Sequence, residues 1–92
     1  VETYAYPNPF SPAEAEFVRI RFEVDDPTTA EVNVYDFGMN RVRSFTRQVG
    51  GGQAEVTWDG TDEGGLRLPN GPYFYTVDTG AETVRGKILL VE

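Results

Sequence analysis

From Phe17 to Val24 apolar and polar residues alternate, with Val18, Ile20, Phe22 and Val24 on one face and Arg19, Arg21 and Glu23 on the other. That period of two predicts a strand with one buried face. Asp25-Asp26-Pro27-Thr28-Thr29 supplies a turn, after which Ala30, Val32 and Val34 face inward against Glu31 and Asn33, predicting a second strand that ends near Tyr35-Asp36. Phe37-Gly38-Met39-Asn40 offers two residues that tolerate positive φ, Gly38 and Asn40, and so reads as a hairpin turn into the extended stretch Arg41 to Val49. Gly50-Gly51-Gly52 marks the next turn, and Ala54, Val56 and Trp58 then alternate with Glu55 and Thr57. Pro72 to Thr79 is rich in aromatic and β-branched residues, and Thr83 to Val91 follows the turn at Gly80 as a final apolar strand.

The two ends of the pattern carry the remaining signals. Three prolines between Pro7 and Pro12 make the opening segment stiff and extended, with Asn8 held out of the helical region by the proline after it. Pro12-Ala13-Glu14-Ala15-Glu16 is too short for more than one helical turn and reads as loop. About seven strands at sandwich spacing, with no credible helix, predict an all-β antiparallel sandwich in one domain spanning residues 1–92.

Composition narrows the function classes. The 92 residues are 39% hydrophobic and 25% charged, enough for one modest core. A net charge of −7 with scattered cations disfavours nucleic acid as a partner. Without cysteine there is no disulfide, thiolate site or thiol nucleophile, and without histidine the commonest general base and metal ligand are gone. No catalytic residue is assigned, and an enzyme is not expected. No apolar run approaches the roughly 18 residues of a membrane span, so membrane insertion is not expected. A first residue of valine suggests an excised or processed piece of a longer protein.

Four constellations invite chemistry. Asp59, Thr61 and Glu63, with Gly64 at the sixth position, partly match a calcium loop, but Arg67 at the ninth place and Asn70 at the twelfth break the pattern. The bland alternative is a turn in which Asp59 bonds backbone amides, so Ca²⁺ stays a weak candidate and no other cofactor is expected. Asp25-Asp26 and Asp62-Glu63 could suggest a glycosidase pair, yet neighbouring turn carboxylates rarely converge on one substrate. Tyr4, Tyr6, Trp58, Tyr73, Phe74 and Tyr75 could build a sugar platform, although alternation sends Phe74 away from Tyr73 and Tyr75 and a small domain needs its aromatics inside. Arg19, Arg21, Arg41, Arg43 and Arg47 fall on outward positions, where ion pairs with Glu23, Glu31 and Asp36 would explain them.

Five landmarks in order resemble a family: Tyr6-Pro7-Asn8-Pro9-Phe10-Ser11-Pro12, then Val34-Tyr35-Asp36 with Val42-Arg43, then Val56-Thr57-Trp58-Asp59-Gly60-Thr61-Asp62 with Gly65, then Asn70-Gly71-Pro72-Tyr73-Phe74-Tyr75, and Lys87-Ile88-Leu89-Leu90-Val91. The chain resembles the immunoglobulin-like domain named after the flagellar hook-capping protein, and the related C-terminal sorting domains of type IX secretion in Bacteroidota and related phyla. Met39 and Pro72 depart from it, standing where the family has a glycine and a β-branched residue.

The resemblance implies an immunoglobulin-like or fibronectin III-like sandwich at the C-terminus of a larger secreted or cell-surface protein. Upstream domains of the same polypeptide and the outer-membrane export machinery would be its partners, and a small-molecule ligand is not expected. Recognition would fall first on Lys87, Ile88, Leu89, Leu90 and Val91, as an exposed edge. Pro7, Pro9, Phe10, Trp58, Asp59, Gly60, Gly71, Tyr73 and Tyr75 would be structural. The alternatives are a carbohydrate-binding accessory module of a secreted glycoside hydrolase and a structural assembly domain, as in hook capping.

Overall fold

The computed structural model describes residues 3–91. Seven strands form: β1 (Thr3–Tyr6), β2 (Val18–Val24), β3 (Thr28–Tyr35), β4 (Arg41–Val49), β5 (Gly52–Trp58), β6 (Gly71–Asp78) and β7 (Thr83–Leu90). They build a three-stranded sheet in the order β1-β2-β5 and a four-stranded sheet in the order β4-β3-β6-β7, with every pairing antiparallel. Alternation sets what lies between the sheets. Val18, Ile20, Phe22 and Val24 of β2, with Val56 and Trp58 of β5, face Ala30, Val32 and Val34 of β3, Tyr73, Tyr75 and Val77 of β6, and Ile88 and Leu90 of β7.

Because the strands are antiparallel, the turns gather at two ends. One end holds residues 25–27, 50–51 and 79–82; the other holds 36–40 and the long loop 59–70. Residues 12–15 make a turn in which the Ser11 carbonyl accepts from the amides of Glu14 and Ala15.

Two details differ from the pattern-based expectation. In the hairpin after β3, Met39 takes the left-handed conformation, with φ 65°, while Gly38 and Asn40 do not. Asp36 dictates this: its carbonyl accepts from the Met39 amide at 3.0 Å and its side chain from the Asn40 amide at 2.9 Å, which leaves residue 39 as the one that must turn. A β-carbon there is strained. Met39→Gly should therefore stabilise the domain by about 0.5–1 kcal/mol, the relieved strain exceeding the extra freedom of the unfolded glycine. Urea denaturation read against Met39→Ala, which keeps the strain, checks it.

The second difference concerns the arginines of β4. Register places Arg43 opposite Val34 and Arg47 opposite Ala30, so both lie on the core-facing side of β4 and not on outward positions. β4 is an edge strand of its sheet, and the register shift at Val34/Tyr35 leaves Val42 as an extra, unpaired residue packed against the core. Inward charges and a bulge are devices that blunt an edge.

Candidate functional site

Trp58 ends β5 and is 1% exposed. Its ring meets that of Tyr73 edge-on at 5.6 Å, and its indole Nε1 donates to the Thr61 carbonyl at 2.9 Å. One residue thus ties the core to the loop that follows. Asp59 Oδ1 accepts from the Thr61 amide at 3.2 Å and the Thr61 hydroxyl at 2.6 Å. Asp62 Oδ1 repeats the device with the amides of Gly64 and Leu66. Gly60 (φ 84°) lies where an added Cβ would stand 3.4 Å from both Phe10 and Leu90, and Tyr73 donates its hydroxyl to the Pro69 carbonyl at 2.7 Å.

Arg43 reaches from β4 into this loop. Its guanidinium donates to Thr61 Oγ1 at 2.9 Å and to the Asp62 carbonyl at 3.2 Å, lies 3.7 Å from Asp59 Oδ1, and pairs with Glu63 Oε1 at 3.2 Å. The three oxygen-bearing side chains singled out for calcium, Asp59, Thr61 and Glu63, thus surround an arginine. Among the described residues no group of three acidic, histidine or cysteine side chains is arranged to hold a metal ion. In this geometry the Arg43 guanidinium supplies the positive charge beside those oxygens.

The partners of the arginines also differ from those expected. Arg19 and Arg21 pair with Glu55 at 3.0 and 4.0 Å, and Arg43 with Asp59 and Glu63, in place of Glu23, Glu31 and Asp36. Cross-strand register explains the first pair, since Arg21 stands directly opposite Glu55.

Partial desolvation would raise the Asp59 carboxyl, but the Thr61 hydroxyl and amide and the nearby Arg43 outweigh it and hold it below its ordinary value. A carboxyl depressed in the folded state stabilises above its unfolded value, about 3.9, and loses that contribution as pH falls through the folded value. The stability difference between wild type and Asp59→Asn should be constant from neutrality down to about pH 4 and shrink below it. Melting curves across that range check it, with a modest amplitude because the side chain is 56% exposed. Burial pushes the phenols of Tyr73 and Tyr75 upward, so stability should also fall as pH rises beyond about 10.

The last strand is partly covered. After the cis bonds Tyr6–Pro7 and Asn8–Pro9, the chain runs along the outer edge of β7. The Phe10 amide donates to the Leu89 carbonyl at 2.8 Å, the Val91 amide donates to the Phe10 carbonyl at 2.9 Å, and the Asn8 amide group bonds both the Lys87 carbonyl and the Leu89 amide. Phe10 itself is 0% exposed. Of the five residues considered for recognition, Ile88 and Leu90 point into the core and Lys87, Leu89 and Val91 point away from it. Backbone pairing by a partner at Lys87–Val91 would have to displace Asn8–Phe10.

The six aromatics share no surface. Trp58, Tyr73 and Tyr75 are core residues, Phe74 lies on the outer face of the four-stranded sheet, and Tyr4 and Tyr6 stack on each other at 5.9 Å on the outer face of the three-stranded sheet. Asp25-Asp26 and Asp62-Glu63 sit at opposite ends of the sandwich, so the two carboxylate pairs never meet. A surface depression of about 360 Å³ lies between residues 24–28 and 79–82.

One residue that pattern reading passed over matters as much as those it named. Gly86, in the middle of β7, lies directly under the ring of Tyr75 on β6. A glycine inside a strand is the available signal of a close approach.

Two antiparallel sheets closed over an aromatic core, with a loop tied to that core, define an immunoglobulin-like sandwich. The FlgD Ig-like domain model matches residues 10–82, and the chain belongs to that family. No curated protein matches the chain. Among solved structures it is similar to PorZ, an essential surface component of the type IX secretion system of Porphyromonas gingivalis, with a TM-score of 0.72 and 18% identity, covering 98% of this chain and 11% of that one. It is similar to dimeric latent PorU of the same organism, with a TM-score of 0.71 and 24% identity over 97% of this chain and 9% of that one. FlgD of P. aeruginosa aligns with a TM-score of 0.64 and 25% identity over 77% of this chain and 58% of that one. The chain thus spans about a tenth of PorZ and of PorU and little more than half of FlgD.

Proposed function

We propose that this domain is a non-catalytic C-terminal sorting or attachment module of an exported bacterial protein, recognised by type IX secretion machinery at the outer membrane. The observation that carries the reading is its likeness, over nearly its whole length, to a small part of two much longer chains, PorZ of that system and PorU of the same organism. A module of this kind must fold independently of the chain before it and present an identifiable surface. The tied loop around Trp58 and the covered edge of β7 suit the first need. Fused behind a fluorescent reporter in a host with type IX secretion, residues 1–92 should carry the reporter out of the cell. Retention inside, with the domain folded, would sink the reading.

A structural assembly role is the second reading, favoured by the family match and the FlgD likeness. It predicts cross-links from the domain to the rest of its own polypeptide and no export of a fused reporter. For a carbohydrate-binding role, only Tyr4 and Tyr6 of the six aromatics considered share an exposed face in this geometry.

A further inference from the structure

We infer that the half of the β7 edge that Asn8–Phe10 leaves without backbone bonds, Thr83 to Lys87, is a docking site for an acidic extended segment of a partner protein. The inference rests on the reading of the domain as an attachment module and names its surface. Along β7 the backbone groups of alternate residues point to β6 and away from it. The outward set is identified by Asn8 and Phe10, which bond the Lys87 carbonyl, both groups of Leu89 and the Val91 amide. By the same alternation the amide and carbonyl of Arg85 and the amide of Lys87 also point outward. Among the described residues no backbone bond reaches them: Asn8–Phe10 bonds β7 only from the Lys87 carbonyl onward, and β1, which packs beside β7, spends its own backbone bonds on β2.

A second observation lies beside those groups. Arg85 and Lys87 project from the same face of β7, both exposed, and their cross-strand neighbours are the uncharged Thr76 and Phe74. Among the described residues neither takes part in an ion pair, although the chain carries 15 acidic residues against 8 basic ones. The opposite edge of that sheet is treated differently. There β4 carries a bulge and two inward arginines, and the Glu63 amide bonds the Val42 carbonyl. Two uncompensated cations beside an open edge repel a basic strand and favour one that places carboxylates opposite them. Two cations in a domain of net charge −7 are too few to hold a phosphate backbone.

The test uses the 92-residue protein and a fluorescein-labelled peptide of alternating threonine and glutamate, with a threonine–lysine peptide as control. The glutamate peptide should bind, as read by anisotropy, and slow amide exchange at Arg85 and Lys87, while the lysine peptide should not bind. Arg85→Glu combined with Lys87→Glu should weaken binding about tenfold or more at unchanged melting temperature. Arg85→Pro, which deletes an amide hydrogen that no strand of the fold uses, should abolish it. No binding at millimolar peptide, binding unaffected by the glutamate substitutions, or protection on another strand would overturn the site. If the wild-type domain fails to export a reporter but binds the peptide, the sorting reading falls and the strand site stands. Export without peptide binding removes only the site.

Discussion

Gly86→Ala should cost about 3 kcal/mol or more and lower the melting temperature by roughly 4–8 °C for each of them. A β-carbon added at residue 86 would stand 2.3 Å from Cζ of Tyr75 and 2.4 Å from its Cε2 and Oη, far inside van der Waals contact. Relief would require the ring to move, and it has nowhere to go. Tyr75 is 1% exposed between the sheets, and its hydroxyl lies 3.0 Å from Thr3 Oγ1 at the end of β1. The backbone of residue 86 is held as firmly, through its pairing with Tyr75 itself. The cause is crowding, since the φ of Gly86 is not in the left-handed region. A mutant cycle separates these ideas: in a Tyr75→Ala background the further change Gly86→Ala should cost little, because the ring that met the methyl is gone. A melting temperature for Gly86→Ala within 3 °C of wild type would refute the argument.

Trp58→Ala should remove about 3–5 kcal/mol, a large share of the roughly 5–15 kcal/mol that holds a small domain folded. The indole is the largest fully buried side chain of the core, and truncation leaves a cavity against Tyr73 that rigid sheets cannot close. Trp58→Phe separates apolar filling from the hydrogen bond. It keeps much of the ring but strands the Thr61 carbonyl, and should cost about 1–3 kcal/mol. Chemical denaturation measures both. If Trp58→Phe proved as damaging as Trp58→Ala, the loop bond, and not the volume, would be the main anchor.

Strand positions were legible wherever alternation was strict. β2 buries every second residue and β3 sends Ala30, Val32 and Val34 to the core, so their core faces follow directly from the order of residues, although Asn33 on the other face of β3 is buried as well. The loop after Trp58 was legible because Asp-Gly-Thr and Asp-Glu-Gly spacing is local turn chemistry. Met39 was not, because the residue that adopts positive φ is chosen by hydrogen bonds to Asp36, while intrinsic tolerance pointed to its neighbours. Arg43 and Arg47 were misplaced for another reason: at an overhanging edge strand, facing the core does not mean being buried.

The β7 terminus shows the same division. Alternation alone puts Ile88 and Leu90 on the core side, yet nothing local says that Asn8–Phe10, about 80 residues away, will cover the outer backbone at Lys87–Val91. Pattern along the chain sets which face of each strand is apolar, because side-chain direction repeats every two residues whatever the strand later packs against. Which edges stay open, which carboxylates meet Arg43, and why residue 86 must be glycine depend on distances between segments remote in the chain. Those distances exist only once the two sheets close over Trp58 and Tyr75. The family membership carried by residues 10–82 belongs to the first kind, and the unbonded half of the β7 edge to the second.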